Sequence, residues 1–200
     1  MTNQLILSTI PQLETENYLL RGITLQDTND LFTFMQDKET MKFITAYPVQ
    51  SEQEMEEAIS RQLDNFLAHK EIPWVIIHKE SGQLVGQFRL HKLHVFHQKA
   101  EMGAVIRKEY QKKGVMTEVL GVILPFFFET LKLNRLVGDI FAGNVGSRKL
   151  LEKFGFHKDG VLRQTDYDGV RFHDTVVYSL LKEEYEYQMI SPLVRSDCVD

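Results

Sequence analysis

The sequence is poor in cysteine, in surplus positive charge and in long apolar runs. Its single cysteine, Cys198, excludes an internal disulfide and a cysteine-based zinc site. With 23 Lys and Arg against 28 Asp and Glu, the net charge of −5 argues against broad nucleic-acid binding, which needs excess cationic side chains. No apolar run approaches the roughly 20 residues that span a bilayer. We therefore expect a soluble protein in a reducing compartment, with neither nucleic acid nor membrane as partner.

The N-terminal residues Met1–Leu7 also lack the basic region and the apolar length of a signal peptide, which favours a cytoplasmic location. A length of 200 residues with 43% hydrophobic residues suits one domain with a sizeable core. We place that domain at 14–182, after an extension at 1–13 and before a C-terminal helix and tail at 183–200. The sequence does not distinguish a monomer from a homodimer.

Apolar segments bounded by turn residues predict seven strands. They are Tyr18–Ile23, Trp74–Ile77, Leu84–Leu90, Lys99–Ile106, Arg135–Phe141, Val161–Thr165 and Phe172–Leu181. Turn residues between the second and third strands, and between the last two, predict antiparallel hairpins. The order of strands and helices predicts an α/β or α+β fold, whose sheet is antiparallel at its start and has a parallel or splayed pair beside the longest helix.

Helices are predicted between these strands. Capping signals at Thr24 and Ser51 begin two of them, each followed by apolar residues at helical spacing. A longer helix covers Val115–Leu131, and we expect it to bend near Gly121 because Pro125 removes a hydrogen bond in its interior.

The turn Glu109–Gly114 joins the strand Lys99–Ile106 to this long helix. The first amides of a helix are unpaired and lie at the positive end of its dipole, so such a junction can bind phosphate oxygens. Nearby cationic side chains strengthen this interpretation: Arg107, Lys108, Lys112 and Lys113. The same residues also fit an ordinary solvated turn. The glycine spacings of a nucleotide P-loop and of a Rossmann site are both missing here.

Three histidines, His91, His94 and His97, invite comparison with a metal site. We expect them to continue a strand, where alternation places His94 on the opposite face from the other two. They would then not converge, and we expect no metal. Farther along the chain, Gly103 lies inside the predicted strand Lys99–Ile106 and predicts a bulge or a close approach of another backbone segment.

Three motifs resemble the GCN5-related N-acetyltransferase (GNAT) family. Tyr110–Glu118 resembles its acetyl-CoA loop, and the segment from Asn144 to Gly155-Phe156 resembles its next motif in the form of the RimJ/RimL branch. Glu14–Arg21 is similar to the opening strand of that branch. Three positions depart from the family pattern: Met116 replaces a small residue, and Lys112 and Asn17 stand where glycine and arginine are frequent.

The resemblance implies a GNAT fold, with a mixed, mostly antiparallel sheet of six to seven strands, flanked by helices and splayed between the fourth and fifth. It also implies acetyl-CoA as co-substrate, without a metal. The pantetheine arm would lie in the splay and the pyrophosphate on the loop. The implied acetyl-CoA-binding residues are Val105, Ile106, Arg107, Gln111, Lys112, Lys113, Gly114, Val115, Met116, Thr117, Asn144 and Ser147.

The resemblance further implies a backbone N–H of Val105 or Ile106 as the oxyanion partner. Many relatives protonate the leaving thiolate with a tyrosine, but this chain has Leu151 there. Ser147, with Asn144 nearby, is the remaining candidate. Both residues also fit plain capping positions of a helix.

A general base is harder to identify. Glu101 and Asp139 are the carboxylates nearest to the expected splay, although either one also suits a surface strand. An α-amine, with a pKa of about 7.7–8, is already partly neutral near pH 7.5, whereas only about one lysine amine in 10³ is neutral there. The lack of an obvious strong base therefore favours a protein N-terminal α-amine, or a small amine, as acceptor. The alternative is a non-catalytic acyl-CoA-binding module on the same fold.

Overall fold

The computed structural model describes residues 7–187, so the predicted tail with Cys198 and the segment 1–6 lie outside the described residues. Within these described residues, eight strands form one sheet in the order β1-β2-β3-β4-β5-β6-β8-β7. They are β1 (Leu13–Glu14), β2 (Tyr18–Gly22), β3 (Ile72–His78), β4 (Leu84–His94), β5 (Lys99–Ile106), β6 (Arg135–Phe141), β7 (His157–Tyr167) and β8 (Phe172–Leu181).

The predicted strands are all present, and three of them have the predicted ends. The additional strand is β1, whose two residues pair with Leu20 and Leu19 of β2. A two-residue strand has no alternation to detect, which is why the sequence pattern predicted only seven strands. The ladder runs without a shift through Gly103, which pairs with Arg89, so the predicted bulge is wrong at this position. The glycine instead permits the close approach of the His91 ring, 3.6 Å from where a Cβ would lie.

Residues 182–187 are helical, and five further α-helices within residues 7–187 accompany the sheet. They are α1 (Thr28–Met35), α2 (Lys38–Met41), α3 (Glu52–Leu67), α4 (Val115–Pro125) and α5 (Val145–Lys153). A 3-10 turn precedes α1, and Asp27 there accepts a hydrogen bond from the Thr24 N–H at 2.8 Å. The Ser51 hydroxyl accepts one from the Glu54 N–H at 3.1 Å at the start of α3, as its capping signal predicts.

The helices cover the two faces of the sheet and create two apolar clusters. On one face, α1, α2 and α3 pack with residues such as Val75 and Val105. On the other face, α4 and α5 pack over residues such as Trp74, Phe88 and Leu136. Because neighbouring residues of a strand point to opposite faces, β5 sends Ala100, Met102, Ala104 and Ile106 toward α4 and α5, and Glu101, Gly103 and Val105 toward α1 and α3.

Among the strands between residues 7 and 187, only β5 and β6 pair in parallel, and they do so over three residue pairs. The last of these is Glu101 with Val137. Beyond it β5 stays paired with β4 as far as Ile106, while β6 stays paired with β8 as far as Phe141. The two strands therefore separate into a wedge, whose closed end we call the apex and whose open end, next to α4, we call the mouth. This is the predicted splay.

The helix α4 is followed directly by a π turn, Phe126–Thr130. The irregularity therefore lies C-terminal to Pro125, rather than near Gly121 as predicted. A wider π turn accommodates the altered hydrogen bonding beyond the proline and keeps Phe127 and Phe128 fully buried.

The histidines behave differently from the prediction as well. The strand β4 ends at His94, and the chain turns before β5. His97 therefore folds back so that its ring centroid lies 4.2 Å from that of His94. Within residues 7–187, no group of three or more His, Cys, Asp or Glu side chains converges as a metal site would require.

Candidate functional site

The loop at the mouth of the wedge has an unusual backbone. Gly114 has φ +84° and forms the N-cap of α4, and Lys112 has φ +61°. Left-handed residues alternating with other conformations turn successive N–H groups toward one side and create an anion-binding concavity. Gly114 adopts this conformation freely, whereas Lys112 is strained at a position where the family often has glycine.

The amides of this loop are available to a ligand. From Lys112 to Met116, no N–H makes a hydrogen bond to another described residue. The first N–H of the helix to be paired is that of Thr117, which donates to the Gly114 carbonyl at 2.9 Å. Five successive donors therefore lie at the positive end of α4, an arrangement suited to phosphate oxygens.

Side chains fix the loop to the sheet. The Gln111 Nε2 donates to the Ile106 carbonyl at 3.0 Å, which ties the loop to the end of β5. Lys113 Nζ lies 5.4 Å from the centroid of the Tyr110 ring, and Tyr110 in turn donates to Gln83 at 3.0 Å. Lys112 and Lys113 are exposed at the mouth.

Arg107 has a different environment from the one that the sequence suggested. Its guanidinium donates to the Leu84 carbonyl at 2.7 Å and to the Asp30 carbonyl at 2.9 Å, and it stacks over the Phe34 ring at 4.8 Å. A third donation, at 2.8 Å, reaches the Thr33 hydroxyl. These contacts fasten α1 to the end of β5 and direct the side chain away from the loop amides.

The backbone of β5 presents donors to the wedge. The Arg107 N–H donates to the Val85 carbonyl at 2.8 Å, on the β4 side. Because bonded and non-bonded pairs alternate in an antiparallel ladder, the Val105 amide also faces β4. The amides of Ala104 and Ile106 therefore face the wedge.

The helix α5 lines the wedge on the opposite side. Asn144 is its N-cap, and its Oδ1 accepts from the Ser147 N–H at 3.1 Å. Leu151 lies at the apex, because its Cδ1 is 2.9 Å from the point where a Cβ on Gly138 would stand. Ser147 is half-buried and one turn before Leu151, so the two side chains share the face of α5 that lines the wedge.

The two candidate carboxylates lie on the other face of the sheet. Glu101 and Asp139 occupy β5 and β6 on either side of the apex, since Glu101 pairs with Val137, two residues before Asp139. Glu101 forms an ion pair with Lys92 at 2.7 Å. Partial burial raises the pKa of Asp139, and the negative charge of Glu101 raises it further. Asp139 nevertheless remains accessible to solvent.

His91 joins this carboxylate group, although from the sequence we considered it only in connection with a metal site, which we rejected. It pairs with Glu101 across β4 and β5, so the two side chains share a face. Burial lowers the pKa of His91, and the charge of Arg89 lowers it further. Both effects favour the neutral imidazole. The register of the β4–β5 hairpin is the signal that would have revealed it.

Aromatic side chains line the approach to the carboxylates. The Phe43 ring, just after α2, lies 6.3 Å from that of Phe141 at the end of β6. The ring of His173 on β8 lies 5.6 Å from Phe141, and its Nε2 hydrogen-bonds to Asp168. Hydrogen bonds from the Arg171 N–H and from His173 hold the pKa of Asp168 well below its usual range. Single-residue patterns did not predict this wall, since its members come from three separate segments.

Comparisons with known proteins agree with the fold. The family model for the acetyltransferase (GNAT) domain matches residues 17–157. The uncharacterized N-acetyltransferase YoaA of Bacillus subtilis is 34% identical over 176 residues, which cover 86% of this chain and 97% of that protein. Across the part of the chain that the structure describes, no helix is long and apolar enough to cross a membrane.

Two solved structures share the fold at low identity. The spermidine N-acetyltransferase of Vibrio cholerae, in complex with CoA and spermine, superposes with a TM-score of 0.77 at 22% identity and covers 85% of this chain and 98% of its own. The ribosomal-protein-S5-alanine acetyltransferase of Vibrio fischeri has a TM-score of 0.76 at 19% identity, covering 88% of this chain and 98% of its own. At these identities the likeness concerns the fold alone.

Proposed function

This chain belongs to the GNAT family of N-acetyltransferases, and from that premise we propose that it transfers an acetyl group from acetyl-CoA to a protein N-terminal α-amine. The observation that carries the proposal is the wedge between β5 and β6. Unpaired amides lie at its mouth, and carboxylates lie on the far face of its apex. A thioester and an amine can therefore meet there from opposite faces of the sheet.

The loop suits the pyrophosphate of acetyl-CoA. Five successive free amides, from Lys112 to Met116, offer hydrogen bonds at the positive end of α4. Lys112 and Lys113 add positive charge beside them, and Gln111 holds the loop against β5. In this proposal Val115 and Thr117 act through the backbone of the first turn, whereas Arg107 acts only as a structural anchor of α1.

The wedge-facing amides of β5 suit the rest of the co-substrate. The sequence suggested Val105 or Ile106 as oxyanion partner, but the Val105 amide faces β4. We assign the Ile106 amide to the pantetheine arm, because it lies nearest the loop. The Ala104 amide, about 6.6 Å deeper in the wedge, is then the donor to the carbonyl oxygen as negative charge develops on it.

Acetyl-CoA supplies an acyl group activated as a thioester. In the transfer, the amine nitrogen forms a bond to the acyl carbon while the carbon–sulfur bond breaks. The amine loses one proton and the thiolate gains one, so the net products are an amide and a thiol. The protein has to accept the first proton, supply the second and stabilise the oxyanion between them.

Ser147 is our candidate for the proton delivered to the thiolate. Its hydroxyl lies on the wedge-lining face of α5, one turn nearer the mouth than Leu151. Leu151 occupies the position where many relatives have tyrosine and carries no proton to give. Asn144 positions Ser147, because it accepts a hydrogen bond from the Ser147 amide.

Asp139 is our leading candidate for the base. Its raised pKa makes its carboxylate a better proton acceptor than an ordinary aspartate. It is also accessible to solvent on the face of the sheet from which we propose that the amine approaches. Glu101 is already engaged with Lys92. Neutral His91 can pass the proton on to solvent from the next strand.

The choice of an α-amine rests on the strength of this base. A partly exposed aspartate suits an amine whose pKa is about 7.7–8, but it is a weak base for a lysine at about 10.4. Likeness of fold to a ribosomal-protein acetyltransferase is compatible with this acceptor and with the RimJ/RimL branch. The similar likeness to a spermidine acetyltransferase makes polyamines the natural competitor.

The test measures thiol release from acetyl-CoA with matched acceptors. One peptide has a free N-terminal α-amine and no lysine, a second has an acetylated N-terminus and one lysine, and spermidine is the third acceptor. We expect turnover with the first at least tenfold above the other two. Higher turnover with spermidine would identify a polyamine, rather than an N-terminal α-amine, as the acceptor. Tight acetyl-CoA binding without turnover on any amine would favour an acyl-CoA-binding module.

A further inference from the structure

The apex of the wedge is closed by apolar side chains from three elements. Met102 is the first residue of β5 beyond the last pair with β6, and Gly138 is the first such residue of β6. A Cβ on Gly138 would lie 2.9 Å from the Leu151 Cδ1 and 3.6 Å from the Met102 Cε. Both methyl groups therefore lie close to the side-chain position of Gly138.

This closure lies at the depth where an acyl group would end. Along β5, the wedge-facing residues from mouth to apex are Ile106, Ala104 and Met102. With the carbonyl oxygen at the Ala104 amide, the carbons beyond the carbonyl point toward Met102, about 6.6 Å further on. Leu151 is buried, with 5% of its surface exposed, and cannot yield without disturbing the core.

Gly138, on the β6 side of the wedge, also indicates that space at the apex is limited. Any larger residue there would place its first side-chain atom against Leu151. The side-chain position of Gly138 is thus already approached by Leu151 and Met102, which leaves little room between the three residues. Interiors packed this closely resist the insertion of further methylenes.

We propose that Met102 and Leu151, with Gly138 beneath them, set the acyl length and restrict the enzyme to acetyl groups. This inference rests on the proposed function, in that it assumes the thioester lies in the wedge. Each additional methylene has to displace the Met102 or Leu151 side chain. Discrimination by a hydrophobic pocket of this kind is typically about 10- to 200-fold per methylene.

The test measures both binding and turnover. Calorimetry gives the Kd of CoA, acetyl-CoA and butyryl-CoA for the wild-type protein and for Leu151→Ala and Met102→Ala. CoA is the reference, because it has no acyl group. We expect wild type to bind butyryl-CoA at least tenfold more weakly than acetyl-CoA, and both variants to reduce that ratio at least fivefold, with the same trend in kcat/KM.

Controls separate selectivity from general loosening of the core. Leu131→Ala removes the same atoms from a half-buried leucine of the same apolar cluster, beyond the π turn, and should leave the ratio unchanged. Met102→Ala, at a half-buried and flexible side chain, keeps the test possible if Leu151→Ala does not fold. Gly138→Ala should weaken acetyl-CoA binding more than CoA binding, because the added Cβ would crowd Leu151.

An unchanged ratio in both truncation variants would overturn the inference, as would equal wild-type affinity for acetyl-CoA and butyryl-CoA. Failure of the proposed function has a different signature. It would appear as absent acetyl transfer by wild type to every amine, whatever the binding ratios. The two outcomes are therefore read from different measurements on the same samples.

Discussion

Lys112 and Gly114 lie two residues apart in one loop, and both have left-handed backbone conformations, with φ +61° and +84°. Only one of the two is a glycine. A side chain in this region costs roughly 1–2 kcal/mol, because its Cβ crowds the following carbonyl. The loop therefore contains strain at Lys112 that a glycine would remove, beside the amides that we assign to the pyrophosphate.

Two substitutions at Lys112 isolate that strain. Lys112→Gly and Lys112→Ala both remove the positive charge, but only the glycine relaxes the backbone. We expect Lys112→Gly to be more stable than Lys112→Ala by about 1 kcal/mol in urea unfolding. The matched pair at Lys113, which has no positive φ, should show the opposite order, because glycine there adds only unfolded-state entropy. The same order at both positions would contradict the loop geometry.

A second prediction concerns Gly114. Gly114→Pro removes an amide at the mouth and demands φ near −65° where the chain has +84°. We expect the Kd for acetyl-CoA to rise at least tenfold by calorimetry. Gly114→Ala is the control, since it keeps the amide and a Cβ there meets no atom within 4 Å. It should lower stability by about 1 kcal/mol and weaken binding much less. Equal affinities of the two variants would remove the loop from the binding site.

The sequence predicted this loop well because its signals are local. A strand, a glycine turn and an apolar helix follow one another within one stretch, and the boundaries Lys99–Ile106 came out as predicted. Signals that depend on pairing were harder. Arg107 looks like a phosphate ligand in sequence, yet its Nη2 donates to Asp30 and Thr33 of α1, some 75 residues away. No pattern within the loop indicates that partner.

A third prediction separates Asn144 from Ser147. The sequence left open whether each was a cap or a chemical group. In the structure the capping acceptor is Asn144, and the Ser147 hydroxyl is not part of that bond. Asn144→Ala should therefore destabilise the protein by about 1 kcal/mol. Ser147→Ala should leave the melting temperature nearly unchanged and lower kcat by about ten- to a thousandfold, as loss of a general acid does.

The measurements for this pair are thermal melts, acetyl-CoA calorimetry and steady-state kinetics on both variants. Near-normal kcat in Ser147→Ala, at unchanged acetyl-CoA affinity, would assign thiolate protonation to water in the wedge. Ser147→Cys, which retains an ionisable proton, should recover part of the lost kcat if the side chain delivers that proton.

The face of the sheet that carries Glu101 and Asp139 shows which features the sequence alone did not predict. Glu101 and Asp139 were identified from their places on two strands that the resemblance separates. His91, by contrast, needs the exact register of the β4–β5 ladder to bring it beside Glu101, and a register shift occurs just after it. The wall of Phe43, Phe141 and His173 depends on the packing of a loop over the sheet. Such tertiary contacts are not encoded in any one segment's period or composition.

A fourth prediction concerns Asp139 and gives opposite signs for stability and activity. The raised pKa means that the folded protein favours the protonated carboxyl above its ordinary value of 3.8. That preference stabilises the fold fully below the ordinary pKa and is lost as the pH rises through the folded pKa. At pH 7 the ionised carboxylate is therefore less favourable in the fold than in the unfolded chain. Asp139→Asn removes that charge, and we expect a higher melting temperature at pH 7 together with a lower kcat.

The pH dependence makes this prediction specific. The gap in melting temperature between Asp139→Asn and wild type should shrink as the pH is lowered toward 4, because the wild-type carboxyl then becomes neutral as well. Asp64→Asn, on the exposed face of α3, is the matched control and should change neither the stability profile nor kcat. Loss of the base should also flatten the acidic limb of the kcat/KM profile in Asp139→Asn. If Asp139→Asn were stabilised but fully active, Asp139 would not be the base. The next candidate would then be His91, and His91→Gln is the corresponding test.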